Sequence, residues 1–176
     1  MPTSWFNILP SVVEVISQFR PTSILDVGCG FGKYGFLARE ILDIAVGRYY
    51  KEDWKTRIDA VEPVREFITP MHDYIYDRVF ITTAQDFVKR KMNYDLVLML
   101  EVIEHLEKKE GAELLKNLMR CSNLLLLSFP AIPILSDYPI GREFARHKSQ
   151  WFLSDFQNFV LLESKPIALL LFFRHE

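Results

Sequence analysis

A chain of 176 residues with 49% hydrophobic side chains is long enough to bury a sizeable core, and one globular domain over 1–176 is expected. A net charge of -2 excludes a chain-wide polyanion signal and leaves only local basic patches to consider. Cys29 and Cys121 are too few for a disulfide framework, no apolar run approaches membrane-spanning length, and Met1 to Arg20 carries Glu14 in its apolar part with no basic leader, so a reduced, cytoplasmic protein without a membrane partner is expected.

Leu9, Val12, Val13 and Ile16 recur at helical spacing until Pro21, which predicts a leading helix. Ser23 to Val27 is an apolar run broken by Asp26, and closely spaced glycines follow it at 28, 30, 32 and 35. That pattern reads as a buried strand, a tight loop and a helix start, where glycine lets the backbone approach a ligand and unpaired N–H groups face it. Tyr34, Leu37, Ala38, Ile41, Leu42 and Ala45 make one helical face that Gly47 ends. Arg48 to Arg57 lacks periodicity and reads as a surface loop before a second strand, Ile58 to Glu62, closed by Pro63. Val64, Phe67, Ile68, Met71 and Ile75 keep helical spacing, with Pro70 splitting the segment and Thr69 as a cap. Arg78 to Thr83 reads as a short third strand.

Tyr94 to Leu100 and Asn123 to Phe129 are continuous apolar runs, as strands buried on both faces should be, and Gly111, Leu114, Leu115 and Leu118 mark the helix between them. Pro130 to Gln150 is a long loop dense in Arg, His and Tyr, and loops of that length are often functional. Ser154-Asp155-Phe156-Gln157 has capping-box spacing for a short helix, and Val160 to Phe173 supplies two last strands around Lys165-Pro166. Alternating strands and helices predict an α/β, doubly wound, mainly parallel seven-stranded sheet. Too few residues separate the last two strands for a crossover helix, so they form an antiparallel C-terminal hairpin.

A ligand in such a fold sits at the carboxyl ends of the strands. Asp26 is in the first strand, Glu62 ends the second, Asp86 follows the third and Glu101 follows the fourth. Asp26-Val27-Gly28-Cys29-Gly30-Phe31-Gly32 resembles the glycine loop of the class I S-adenosylmethionine-dependent methyltransferases, and the resemblance extends over nearly the whole chain. It implies a Rossmann-like methyltransferase sheet, S-adenosyl-L-methionine as cofactor and methyl transfer as the activity. It also implies that Glu62 takes the ribose hydroxyls and that Asp86, beside Phe87, takes the adenine amino group. Gly28, Cys29, Gly30 and Gly32 would form the loop under the cofactor, with Asp26 organising it and Glu101 joining the cofactor-binding set. The chemistry agrees, since carboxylates accept from hydroxyl and amino donors and Phe87 offers apolar contact to a purine.

Two other readings stay open. Gly30-Phe31-Gly32-Lys33-Tyr34-Gly35 also matches the GxGxxG spacing of dinucleotide-binding oxidoreductases, and a module could keep the cofactor fold without transferring anything. Against the first stand Asp26 two residues before Gly28, the terminal hairpin, and Glu101-Val102-Ile103-Glu104-His105, which resembles the motif at this place in many small-molecule and RNA O-methyltransferases. Against the second stands the polar set Arg142, Glu143, Arg146, His147 and Gln150 in the long loop, where the resemblance places the acceptor. The acceptor implied is a hydroxyl, of a small molecule first and of RNA as the alternative. Its recognition falls to the leading helix, the Arg48 to Arg57 loop and the long loop, and Tyr49, Tyr50, Trp54 and Trp151 either stack on a ring or pack. His105 and His147 are the candidate bases, because histidine titrates near neutrality.

Glu101, Glu104 and His105 stand at i, i+3 and i+4 and share a face if the chain turns helical after the fourth strand. With His147 in Arg146-His147-Lys148-Ser149-Gln150-Trp151, the set resembles that of the metal-dependent small-RNA terminal 2′-O-methyltransferases. The resemblance implies a magnesium or manganese site on Glu101, Glu104, His105 and His147 that orients an acceptor hydroxyl and lowers its pKa. Without a metal, Glu104 and His105 pair with each other or with loop arginines. Nothing in the sequence encodes the oligomeric state.

Overall fold

The computed structural model describes residues 3–132, 144, 146–164 and 168–174. Strands β1 (Ser23–Val27), β2 (Arg57–Val61), β3 (Arg78–Phe80), β4 (Tyr94–Leu100), β5 (Ser122–Pro130), β6 (Val160–Ser164) and β7 (Ala168–Arg174) form one sheet in the order β3-β2-β1-β4-β5-β7-β6. β1 to β5 are parallel, and β7 runs antiparallel to both β5 and β6. The predicted hairpin is therefore present, although Lys165 and Pro166 at its turn lie outside the described residues. The all-parallel 3-2-1-4-5-6 order of dinucleotide-binding enzymes has no such inserted strand.

The continuous apolar runs follow from this placement, because each central strand feeds a core on both faces. Leu96, Leu98 and Ile24 point to one face and pack under α1 (Leu9–Phe19), α2 (Lys33–Leu42) and α3 (Pro70–Ile75), with Val12, Ile16 and Ala38 from those helices. Leu25, Val97, Met99 and Leu125 point to the other, under α4 (Ala84–Phe87) and α5 (Lys108–Arg120), which contributes Leu114 and Leu118. α1 ends where Arg20 turns left-handed at φ 46° and returns its N–H to the Ile16 carbonyl, just before Pro21. α3 starts after Thr69 as expected, with Pro70 in its first turn, where the ring costs no hydrogen bond.

Several expected elements shift. β2 runs Arg57–Val61 and leaves Glu62 just beyond the strand, free to turn toward the glycine loop, and β3 stops at Phe80. The short helix expected from Ser154 is instead a 3-10 turn, Leu153–Asp155, closed by the Phe152 N–H on the Asp155 carboxylate at 2.9 Å. The Arg48 to Arg57 loop is built around buried Asp43, whose Oδ1 accepts from Arg48 Nε at 2.7 Å and from the Lys55 N–H at 2.9 Å. Trp54 packs edge-on against Tyr74 and beneath the Arg39 guanidinium. Among the described residues no helix is long and apolar enough to cross a membrane.

Candidate functional site

The strand order reverses between β1 and β4, so the loops leaving their carboxyl ends diverge and leave a crevice. A cleft of about 760 Å³ opens there. It is lined by Asp26, Gly28, Cys29, Gly30, Glu62, Glu101 and His105 from the expected set.

The glycine loop forms its floor. Gly28, Gly30 and Gly32 have φ of 70°, 54° and 82°, a region closed to most side chains. At Gly28 space is also denied: a Cβ would stand 2.5 Å from Val102 Cγ2. Gly32 is not in the cleft wall; it is the cap of α2, turned over His72 and Tyr76. Cys29 is a buried free thiol whose pKa burial pushes up, so it is apolar filler rather than a nucleophile.

Glu62 is 5% exposed, and both of its oxygens accept backbone hydrogen bonds at 3.0 Å, Oε2 from the Gly30 N–H and Oε1 from the Val64 N–H. Burial raises its pKa against the pull of these bonds. Each oxygen keeps a further lone pair, so the carboxylate organises the loop and still offers acceptors to the cleft. Asp26 lies deeper. Its Oδ2 accepts from the Tyr76 hydroxyl at 2.7 Å, and desolvation pushes it up to about 6. The hydroxyl reaches it because Gly35 has no side chain: a Cβ there would fall 2.3 Å from the Tyr76 ring.

His72 is a participant the sequence did not reveal. It is fully buried, its Nδ1 accepts from the Thr69 N–H at 3.1 Å, and its Nε2 lies 2.8 Å from the Gly30 carbonyl. A carbonyl only accepts, so the ring is the Nε2–H tautomer and ties α3 to the glycine loop. The only early sign was its place three residues after the cap Thr69.

Asp86 and Phe87 depart from expectation. Asp86 is exposed, accepts from the Thr83 hydroxyl at 3.0 Å and pairs with Lys89 at 2.6 Å, and these contacts hold its pKa down. Phe87 is buried against Phe80 at 4.9 Å between ring centroids. Neither lines the cleft. Thr83 caps α4 by accepting the Asp86 N–H, which turns that carboxylate back onto the cap and presents Thr83, Ala84 and Gln85 to the cleft instead. Phe31 and Phe67, edge to face at 6.0 Å, form another part of the wall.

After β4 the chain does not continue as an α-helix. Glu101 is left-handed at φ 58°, its N–H bonds the Ser128 carbonyl at 3.1 Å, and the Ser128 hydroxyl reaches its Oε1 at 3.1 Å. Burial pushes Glu101 up to about 7. A 3-10 turn over Ile103–His105 then sends Glu104 inward, 3% exposed. Glu104, His105 and His147 bring ligand atoms within 4.8 Å of one another; Glu101 is outside that group, because its left-handed backbone turns it toward Ser128. The histidine rings meet edge to face at 4.9 Å. His105 Nδ1 is 3.2 Å from the Arg146 carbonyl, so Nδ1 carries the proton and Nε2 holds the lone pair, and burial lowers the ring's pKa to about 4. The Lys148 and Ser149 N–H groups both bond the Glu104 carbonyl, which docks this part of the long loop on the turn. Of the other loop residues singled out, Arg142 and Glu143 lie outside the described residues. Trp151 is buried over Gly111 and does not face the cleft. The Arg48 to Arg57 loop does not line it either.

Solved structures share this fold. The methyltransferase domain of bacterial CtHen1-CN superposes with a TM-score of 0.61 at 17% identity, over 97% of this chain and 98% of that one. The N-terminal domain of EvdMO1, solved with SAH bound, gives 0.59 at 18% over 94% and 81%. An rRNA methylase from Escherichia coli gives 0.58 at 16% over 97% of this chain and 64% of its own. At these identities the likeness carries the fold, which is that of the class I methyltransferases. No curated protein matches the chain in sequence. A family model does match residues 4–130, from the N-terminal segment to the end of β5, and the chain therefore belongs to the family described as mitochondrial small ribosomal subunit Rsm22.

Proposed function

We propose that the cleft binds S-adenosyl-L-methionine and that the protein transfers its methyl group to a hydroxyl acceptor. The observation that carries this is buried Glu62, held by the Gly30 and Val64 N–H groups with its spare lone pairs beside a loop in which a side chain at Gly28 would collide with Val102. Such a carboxylate suits the two adjacent hydroxyls of a ribose. Thr83, Ala84 and Gln85 would border the adenine, with the Gln85 amide able both to donate and to accept. When bound, the cofactor supplies a methyl group already activated on sulfur. The chain's task is then to hold the acceptor oxygen in line and receive its proton. His105 lines the cleft with a free Nε2 lone pair and is the nearer of the two histidines to that task.

A divalent-metal form of this reading rests on a separate observation. Glu104 Oε2 is buried without a hydrogen-bond partner, in the group that includes His105 and His147. An unpaired carboxylate oxygen beside an imidazole lone pair is a donor set suited to manganese or magnesium, and His105, low in pKa, stays unprotonated for it. A bound ion would lower the pKa of the acceptor hydroxyl. We place a small-molecule hydroxyl first. RNA is the second acceptor class, supported by the description of the Rsm22 family and by the exposed Arg146 and Lys148 beside the cleft.

Calorimetry with S-adenosylmethionine and with NAD tests the cofactor: binding of the first alone is expected, and binding of NAD alone would overturn the reading in favour of an oxidoreductase. A methyl-transfer assay on small hydroxyl compounds and on RNA, with and without chelator, then separates an enzyme from a binding module. Manganese titrated into chelator-treated protein should bind, and His105→Ala and His147→Ala should each weaken it; no binding by the unaltered protein would remove the metal.

A further inference from the structure

We infer that Lys33 binds the carboxylate at the amino-acid end of the cofactor. The inference rests on the cofactor reading above and assigns a residue that the sequence motifs did not mark. Lys33 is the first residue of α2, directly after left-handed Gly32, and its side chain lines the cleft. Its Nζ donates to the Ser4 carbonyl at 2.7 Å and lies 4.9 Å from the centroid of the Tyr34 ring. Among the described residues it forms no ion pair.

That arrangement is unusual for a lysine half removed from water. Burial lowers its pKa, while Asp26 and Glu101 oppose the shift from a distance. A partly desolvated ammonium without an anion costs free energy that a bound carboxylate would return. The acids nearby are engaged elsewhere, Asp26 by Tyr76, Glu62 by Gly30 and Val64, and Glu101 by Ser128. An ammonium has three N–H donors and the Ser4 carbonyl takes one, so two remain for a ligand.

Charge complementarity names that ligand's end. The amino-acid tail of the cofactor carries one ammonium and one carboxylate, and in the cleft wall Lys33 stands as an ammonium within the field of the Asp26 and Glu101 carboxylates. Glu101 faces the ammonium of the tail and Lys33 the carboxylate. The Ser4 contacts, including its hydroxyl on the Tyr34 oxygen at 3.1 Å, hold the N-terminal segment beside Lys33 and fix the height of Nζ.

Two ligands that differ only in this tail provide the test. S-adenosylhomocysteine carries the amino acid and 5′-methylthioadenosine does not. Calorimetry on the full chain should show tighter binding of the former. Lys33→Met should lose at least tenfold in affinity for S-adenosylhomocysteine with 5′-methylthioadenosine unchanged, and Lys33→Arg should recover most of the loss. The unchanged ligand also reports that the variant is folded. Equal losses for both ligands, or none for S-adenosylhomocysteine, would overturn the inference while leaving the cofactor reading in place. If neither ligand binds the unaltered protein, the cofactor reading fails and this inference with it.

Discussion

The Tyr76 hydroxyl, just past the end of α3, donates to Asp26 Oδ2 in β1 at 2.7 Å across the surface of Gly35. One contact thereby joins a strand, a helix and the glycine that makes room for it. Tyr76→Phe leaves a buried carboxylate short of a donor and should cost about 1–3 kcal/mol of stability, read from denaturant unfolding. An unchanged unfolding midpoint would show that Asp26 is satisfied without it.

The same pair sets a pH dependence. Desolvation raises Asp26 from 3.8 to about 6 in the folded state, so between those values the folded chain holds a proton that the unfolded chain has released. Its stabilising contribution is complete below about pH 4, declines as pH rises toward about 6, and is gone above that. Asp26→Asn removes the titration. The unaltered protein should therefore lose stability relative to Asp26→Asn over this window, and a constant difference between them would contradict the assignment.

Gly28→Ala places a methyl 2.5 Å from Val102 Cγ2 at a φ of 70°. Backbone strain alone is worth about 1–3 kcal/mol, and the collision adds to it. The variant should melt lower and lose S-adenosylmethionine binding. Adding Val102→Ala relieves the collision but not the φ, so stability should recover only in part.

Glu62→Ala strips the Gly30 and Val64 N–H groups of their acceptor as well as removing the lone pairs offered to a ribose. Cofactor affinity should fall by roughly 1–3 kcal/mol in a titration. Full affinity in the variant would confine Glu62 to a structural role.

Gln85 and Asp86 give opposite expectations that separate the geometry from the motif. Asp86→Ala removes the Thr83 and Lys89 contacts on the outside of α4 and should leave cofactor affinity near that of the unaltered protein. Gln85→Ala, on the cleft wall, should weaken it. The reverse result would restore Asp86 to the adenine.

The strands, the glycine loop and the terminal hairpin were legible in the sequence because each is a local pattern. A strand buried on both faces must be apolar throughout, and positive φ selects glycine, so Ser23 to Gly32 announces itself without its neighbours. The spacing of Glu101, Glu104, His105 and His147 was legible too, but not which of them converge. A left-handed Glu101, held by Ser128 on the adjoining strand, and the 3-10 turn that follows it send Glu101 one way and Glu104 the other. The placement of His72 and Lys33 was decided by tertiary structure alone. Each depends on a partner distant in the chain: the Gly30 carbonyl for His72 and the Ser4 carbonyl for Lys33. Periodicity records which side of an element is buried; it holds no record of what lies across the gap.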